Sequence, residues 1–450
     1  MRPARSLLTL PLLALLLAPA ARSQNSTDDD LKKQVEWMKQ QMEQMAQQIK
    51  ELQEQAKANK PAGGNAEDYY IPRLATEFEQ SGQSAALGNV YTKPFLTNLG
   101  SRTYLGGYVS MEASTHGEEA NGEKAFNLTP FVPFIYSDVT DRVKFASEIE
   151  IDNGFEFELE YGYFDYLFNP AFNTRWGVQL LPVGKFNEVH DAPIQELTKR
   201  PLVDSLVIPT TLRDVGVGVY GSPTETVSYQ ATVTNGFRGL DNDGNVAINL
   251  EDGMHDAAPQ ESGIGEPYTQ LNDSFAVAGR LAVKPVLGME LGASALSDKY
   301  DQAGDNGLNI YALDATVDGK SVSFLPDALT LLGEAAWDDF QRDDFAQTSG
   351  VPDDFSGFYV QANYRFEPEF LKAWESDGTV DEGARFTFVT RYDRVHLDTY
   401  ERSRTTLGLN FRPNANHTVF KLDYQFNSDS GSLAGENNDN TLLFSAATYF

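Results

Sequence analysis

Six carboxylates stand on alternating positions in "EIEIDNGFEFELEYGYF", residues 148–164: Glu148, Glu150, Asp152, Glu156, Glu158 and Glu160. Acids in such a row could exchange protons, hold a cation or line a wet wall. Alternation is the mark of a β-strand with one apolar and one polar face. A three-residue loop, Asp152-Asn153-Gly154, would pair Ile151 with Phe155, Glu150 with Glu156 and Glu148 with Glu158, placing all the acids on one face. Like charges directly opposed destabilise a sheet. This face therefore needs water, cations or bases, and Arg142, Lys144 and Arg175 are the partners the pattern offers. Two readings stay open: a wall whose charge acts on passing ions, and a solvated wall with no binding role.

Nothing completes a catalytic reading. The five histidines are His116, His190, His255, His396 and His417, and no pair has HExxH spacing. No GxSxG elbow or glycine-rich phosphate loop occurs. His190 and Asp191 are adjacent, too close to orient one another in a triad. "DNDGNVAINLED", 241–252, resembles a calcium loop but carries Val246 where the turn needs glycine. No enzyme activity, cofactor or metal site is expected.

The elements that position these residues follow from the rest of the chain. Its 450 residues carry 65 acidic and 35 basic side chains, a net charge of -30, and no cysteine. Such acidity repels phosphates and excludes nucleic acid as a partner. Residues 1–23 read as a secretory signal: Arg2 and Arg5, then "LLTLPLLALLLA", then the small-residue cleavage sites Ala18-Pro19-Ala20 and Ala21-Arg22-Ser23. Over 28–58, Leu31, Val35, Met38, Met42, Met45, Ile49, Leu52 and Ala56 recur at alternating gaps of four and three. That is a heptad seam, a short coiled coil, followed by a linker over 59–102 that opens with "KPAGGN".

From residue 103 the helical period gives way to alternation up to residue 450. The predicted strands are 103–113, 125–136, 142–152, 155–167, 174–184, 214–221, 226–237, 273–283, 288–297, 307–317, 327–338, 356–366, 384–394, 403–412, 416–427 and 440–450. Their connections alternate between tight turns ("SDVTD", "NPAFN", "SPTET", "KPVLG", "RPNAN") and long polar stretches at 185–213, 238–272, 339–355 and 428–439. Alternating short turns and long loops are the layout of a transmembrane antiparallel β-barrel of about 16 strands. "DNG" is short where a long loop is due, and 367–383 is long where a turn is due. Both ends of the barrel then lie on the short-turn, periplasmic side, and so does the coiled coil.

An apolar outside against lipid and a polar, watered inside account for the strand faces. Phe386, Phe388 and Tyr392 oppose Arg385, Thr387 and Arg391; Phe358, Val360 and Tyr364 oppose Tyr359, Gln361 and Arg365. Tyr161, Tyr163, Phe164 and Trp176 fit an interfacial girdle. The pore-lining candidates are Glu148, Glu150, Glu156, Glu158, Glu160, Arg280, Arg365, Arg385, Arg391 and Lys421, with Lys284, Glu334 and Asp423 on the same face. The stretch 185–213 mixes Leu202, Val203, Leu206, Val207 and Ile208 with Lys199, Arg200 and Arg213, more apolar residues than a solvated loop needs. Folded inward it would constrict the pore through those three bases; folded outward it would cap the barrel or meet another subunit.

The segments "HDAP…KRPLV…IPTTLRDVGVGVYG" across 190–221 and "TLGLNFRPNANHTVFKLDYQF" across 406–426, with the final "ATYF", resemble the phosphate-selective porin (O/P type) family of bacterial outer-membrane porins. The resemblance covers about 103–450. It implies a homotrimer in the outer membrane of a Gram-negative-type bacterium, with a channel for passive diffusion of small hydrophilic solutes or ions, anions such as phosphate among them. Family members of the phosphate-selective kind line the pore with Arg and Lys. The mixed charges here depart from that, and no phosphate site is carried over. The alternatives are a barrel hydrolase, which needs Ser, His and an acid converging on one rim, and a structural or adhesive barrel with a filled lumen.

Overall fold

The computed structural model describes residues 97–98, 103–115, 125–127, 130–152, 156–238, 247–259, 274–301, 304–414, 418–433 and 438–450. The signal segment, the 28–58 heptads, almost all of the linker, His116, His417, the first half of 241–252 and the Glu156 side chain lie outside the described residues.

The described chain forms one closed antiparallel barrel. Its strands are β1 Thr97–Asn98, β2 Thr103–Ser114, β3 Ala125–Asn127, β4 Phe131–Asp138, β5 Val143–Asp152, β6 Glu156–Asn169, β7 Phe172–Leu180, β8 Arg213–Thr224 and β9 Val227–Thr234. They continue with β10 Ala276–Val283, β11 Met289–Lys299, β12 Gly307–Asp318, β13 Leu329–Phe340, β14 Asp354–Phe366, β15 Arg385–Leu397, β16 Tyr400–Arg412, β17 Thr418–Gly431 and β18 Thr441–Tyr449. Strands β3 and β4 together form one stave beside β2, where the sequence predicted a single strand over 125–136. Strand β1 only extends the row beside the start of β2, so the wall has sixteen staves. The barrel closes where β18 pairs with β2, from Leu443 opposite Ser114 to Tyr449 opposite Tyr108. Three short helices decorate it: α1 Val203–Leu206, α2 Asp344–Ser349 and α3 Glu369–Asp377.

Alternation governs the faces. Leu281, Leu313, Trp337, Val360, Phe388, Leu409, Leu422 and Phe444 point outward and exposed, while Arg280, Asp314, Glu334, Gln361, Thr387, Asn410, Asp423 and Ser445 on the same strands are buried inside. A sheet that is apolar outside and polar inside is stable only when lipid meets the outside. Near the short-turn end the outward rings run from strand to strand: Phe366 stacks on Phe386, which meets Phe411, which stacks on Phe420.

The long-loop end departs from this rule. There the inward face is apolar: Leu308, Ile310, Phe340, Phe355, Val395, Leu397 and Tyr400 are buried. Leu202, Val203, Leu206, Val207, Ile208 and Leu212 of the 181–212 segment cover them, joined by Ile248 and Met254 of the next long loop. The lumen therefore contains a dry core on its β12–β16 side, which explains the apolar surplus of that segment. Met254 donates its N–H to the Leu206 carbonyl at 3.0 Å. Neighbouring Gly253, at φ +63, lies so close that a Cβ would run into the same carbonyl.

One connection differs from expectation, and another is long, as the sequence indicates. The stretch between predicted strands 384–394 and 403–412 is no loop: β15 and β16 extend until Leu397 pairs with Tyr400, and the turn is Asp398-Thr399 with Asp398 at φ +53. The long connection at 367–384 contains α3. Phe370 and Trp374 of α3 are exposed, and Phe370 packs on Phe386 of the outward aromatic strip.

Candidate functional site: the lumen and its inserted segment

The segment 181–212 leaves β7 and enters β8 through a closed neck. Leu181 N–H donates to Leu212 O at 3.0 Å. Asn187 spans the neck: its Nδ2 donates to Leu181 O at 2.8 Å and Leu212 O at 2.9 Å, and its Oδ1 accepts from Leu212 N–H at 2.7 Å. The segment then runs along the inner wall. The N–H groups of Lys185 and Phe186 donate to Glu334 Oε2 at 2.9 and 3.1 Å. Gly184 N–H donates to Ser294 Oγ at 2.9 Å. Gly184 adopts φ +70, and a Cβ there would collide with the Glu334 carboxylate. Tyr449 donates its hydroxyl to Asp191 at 2.8 Å, and Thr198 N–H donates to Asp423 at 2.7 Å.

Two of the bases predicted to line the pore, Lys421 and Arg391, serve as clamps on this segment. Lys421 Nζ donates to Ala192 O at 2.9 Å and Leu197 O at 3.3 Å. Arg391 Nη2 donates to the carbonyls of Lys199 and Arg200 at 2.9 and 3.0 Å, while its Nε holds Asp393 at 2.9 Å. Two arginines outside the predicted set do the same: Arg404 donates to Arg200 O, and Arg412 donates to Pro193 O at 2.8 Å. Carbonyl oxygens folded into a barrel away from water need donors, and the wall supplies them. Arg280 pairs with Asp314 at 2.7 Å and Glu290 at 3.1 Å, and Arg365 pairs with Asp318 at 2.9 Å. Arg385 donates to Gly383 O at 3.3 Å beside the α3 connection.

The acidic hairpin has a different register from the one predicted. Asp152 opposes Glu156, Ile151 opposes Phe157 and Glu150 opposes Glu158, and residues 153–155 that join the two strands lie outside the described residues. Acid still faces acid at Glu150 and Asp152, which preserves the charged wall, but these pairs are shifted by two residues on β6 from the predicted register. A bulge follows: Ile149 opposes Leu159 and Glu148 opposes Tyr161, leaving Glu160 as the extra residue. One extra residue reverses the facing of everything beyond it. Tyr161 and Tyr163 therefore point into the lumen and are buried, not in the girdle, whereas Phe164 and Trp176 stack outside as expected.

The partners of the acids also differ. Arg142 donates to the Leu167 carbonyl in a turn at 3.1 Å, Lys144 pairs with Asp138, and Arg175 pairs with Asp165 at 2.9 Å while lying over the Tyr163 ring. Those bases sit nearer the short-turn end. With a rise of about 3.3 Å per residue, six residues of β5 separate Lys144 from Glu150. The inserted segment supplies other bases instead. His190 Nε2 meets the Glu160 carboxylate while its Nδ1 donates to Asn187 O at 2.9 Å; Arg213 pairs with Glu158 at 2.5 Å; Lys199 reaches Glu112 at 2.9 Å. Of the three predicted constriction bases, Lys199 thus faces the wall, Arg213 stands at the neck, and Arg200 holds the segment's own Thr210 carbonyl. Burial opposes a charge on His190, but the Glu160 carboxylate outweighs it and raises the ring's pKa above its ordinary value.

Sequence reasoning missed His190 and Asn187. The signal for both was present: polar residues inside a segment too apolar to lie in water. Of the calcium-like stretch, residues 247–252 form a turn in which Asn249 Oδ1 accepts from Glu251 and Asp252 N–H groups at 2.8 and 2.9 Å. Among the described residues no group of three His, Cys, Asp or Glu side chains is placed to hold a metal ion.

No family model matches the chain. A protein of Aquifex aeolicus (strain VF5), itself described as uncharacterized, is 30% identical over 237 residues, 50% of this chain and 51% of that protein. The chain thus spans about half the length of the curated relative it matches. Among solved structures, the anion-selective porin from Comamonas acidovorans superposes with a TM-score of 0.51 at 12% identity, covering 77% of this chain and 99% of that one. The outer membrane channel DcaP of Acinetobacter baumannii superposes with a TM-score of 0.51 at 11% identity, covering 79% and 99%. At that identity the likeness is one of fold, and the fold is a sixteen-stranded porin-type transmembrane barrel with a segment folded into its lumen.

Proposed function

We propose that the protein is an outer-membrane porin: a channel for passive diffusion of small hydrophilic solutes or ions, narrowed by the 181–212 segment. The observation that carries this reading is the pairing of an apolar exterior with a charged interior into which one long loop is tied by named hydrogen bonds. A folded segment inside a barrel sets its width, and width with wall charge sets selectivity. The resemblance seen in the sequence supports a homotrimer in the outer membrane, with the 28–58 heptads on the periplasmic side.

The same reading favours modest cation preference. The Arg391, Arg404, Arg412 and Lys421 head groups are engaged by carbonyls of the segment. Glu150 and Glu158 oppose each other in a contiguous acidic row. A row of like charge between low-dielectric walls focuses a negative potential. Single-channel recording of the purified protein in a planar bilayer is the test, with a reversal potential measured across a KCl gradient. Discrete conductance steps with cation preference agree with the proposal. A protein that inserts as a folded barrel and passes no current refutes the channel and leaves the filled structural barrel.

A further inference from the structure

Two buried acids lie where α1 of the inserted segment packs against β13 of the wall. Asp204, in α1, is 0% exposed, and Glu334, on the inward face of β13, is 3% exposed. Neither Asp204 oxygen, nor Oε1 of Glu334, receives a hydrogen bond from an N–H or O–H donor among the described residues. Glu334 Oε2, by contrast, accepts both the Lys185 and Phe186 N–H groups. We propose that Asp204 and Glu334 form a binding site for one proton, and that this shared proton holds the far arm of the 181–212 segment against the wall.

Two carboxylates brought together out of water do not both ionise; one keeps its proton and donates it to the other in a short, charge-assisted hydrogen bond. The surroundings say which one stays ionised. Two backbone donors favour charge on Glu334, and Asp204 has no such support. Burial first, then the Glu334 charge and the hydrogen bond to it, push the Asp204 carboxyl well above the usual carboxylate range. The other charged and titratable groups near the pair are Arg391 and Asp393 of β15, Arg280 of β10, Asp314 of β12, Tyr359 of β14 and the Lys185 ammonium, which pairs with Glu290 at 3.2 Å. Arg391 is engaged by Asp393 and two carbonyls, and Arg280 by Asp314 and Glu290, so neither arginine donates to the pair. A cavity of about 40 Å³, bordered by Lys185, Asp314, Glu334, Tyr359 and Gln361, has room for a water that carries the proton in or out.

The sign follows from linkage. The docked segment binds the proton, and an undocked Asp204 loses it near its ordinary value of 3.8. Docking is strongest in acid. It weakens by about tenfold per pH unit as pH rises above that value, until the docked pair itself ionises. One node would then control both arms of the segment, because Glu334 also holds its start at Lys185 and Phe186. The consequence for permeation, wider passage in alkali, rests on the channel reading; the docking equilibrium does not.

The test is a nitroxide label on Ser205→Cys, the chain having no other cysteine, read by electron paramagnetic resonance in the folded protein. As pH rises from acid into alkali the label should pass from immobile to mobile in a one-proton step, the docking constant falling about tenfold per pH unit. Asp204→Asn, whose amide donates to Glu334 at every pH, should keep the label immobile throughout. Glu334→Gln should also remove the step, while His190→Gln should leave it in place. A label that stays immobile to the end of the titration, or a step that survives Asp204→Asn, overturns the proposal. So does a step of opposite sign abolished by a chelator, which would mean that a cation bridges the pair. These readouts hold whether or not the barrel passes current.

Discussion

Asn187 offers the sharpest perturbation, because one side chain closes the neck of the inserted segment. Asn187→Ala deletes three hydrogen bonds of 2.7–2.9 Å and leaves the Leu212 N–H without its acceptor. A neutral buried hydrogen bond contributes about 1 kcal/mol net. The three together are then worth about 3 kcal/mol, which is about 100-fold in the docking equilibrium of the segment. Every strand ladder is untouched, so the loss should fall on the segment and leave barrel melting almost unchanged. Two assays read it. Trypsin should cut after Lys185 or Lys199 in the variant at enzyme levels that spare the wild type. Single channels should show larger and noisier open currents. Asn187→Asp keeps the acceptor for Leu212 N–H but sets a carboxylate against two carbonyls, and it should do as badly as alanine. Wild-type proteolysis in both variants would show that the neck is held by something other than this amide, and a wild-type pattern in the aspartate variant alone would remove its donors from the account.

Glu150→Gln/Glu158→Gln should move the reversal potential toward anions, strongly at 0.15 M salt, where charges are screened over about 8 Å, and weakly at 1 M, where the length is about 3 Å. His190→Gln should loosen the segment by about 2 kcal/mol in mild acid, the scale of a hydrogen bond to a charged group. Because the His190 pKa is raised, that contribution is complete below its ordinary value of 6.5 and disappears as pH climbs through the raised one, so proteolysis of wild type and variant should converge in alkali. A cysteine at exposed Asp252 on the long-loop end should react with an impermeant thiol reagent on intact cells, and one at Thr224 on the short-turn end should not; the opposite pattern inverts the barrel. Met42→Glu/Ile49→Glu, which puts charge into the heptad seam, should lower the melting temperature of the oligomer and spare the barrel, as measured by semi-native electrophoresis.

The wall was legible in the sequence because period-two alternation runs through most of the staves. All sixteen staves contain a predicted strand, and the inward placing of Arg280, Arg365, Arg385, Arg391 and Lys421 follows from parity alone. Parity fails where a strand gains a residue. Nothing in "ELEYGYF" marks Glu160 as bulged, so the facing of Tyr161 and Tyr163 was read one step out of phase. The turn at Asp398-Thr399 was hidden by "HLDTYERS", whose polarity suits a loop as well as the mouth of a barrel. The roles of the bases were not legible at all. Whether an inward arginine faces water or a carbonyl depends on where a segment two hundred residues away in sequence is laid, as with Arg391 and the carbonyls of Lys199 and Arg200.

The seam between β18 and β2 bears on how the molecule is built. Its partners lie more than three hundred residues apart, Tyr449 beside Tyr108, whereas every other stave pairs with a sequence neighbour. Hairpins from β4 to β17 form between adjacent segments at low cost in chain entropy, but the ring shuts only once β18 has arrived. Until then two unpaired edges stand open, at β2 and at β17, and open edges in hydrocarbon are costly. Phe450, stacked on Phe131 with its N–H and carbonyl bonded to Gly107, fastens that seam at the short-turn end. Gly107 leaves the space its ring occupies, so a side chain there would meet the Phe450 ring as the two edges come together. Strand β18 thus acts as the latch of the ring.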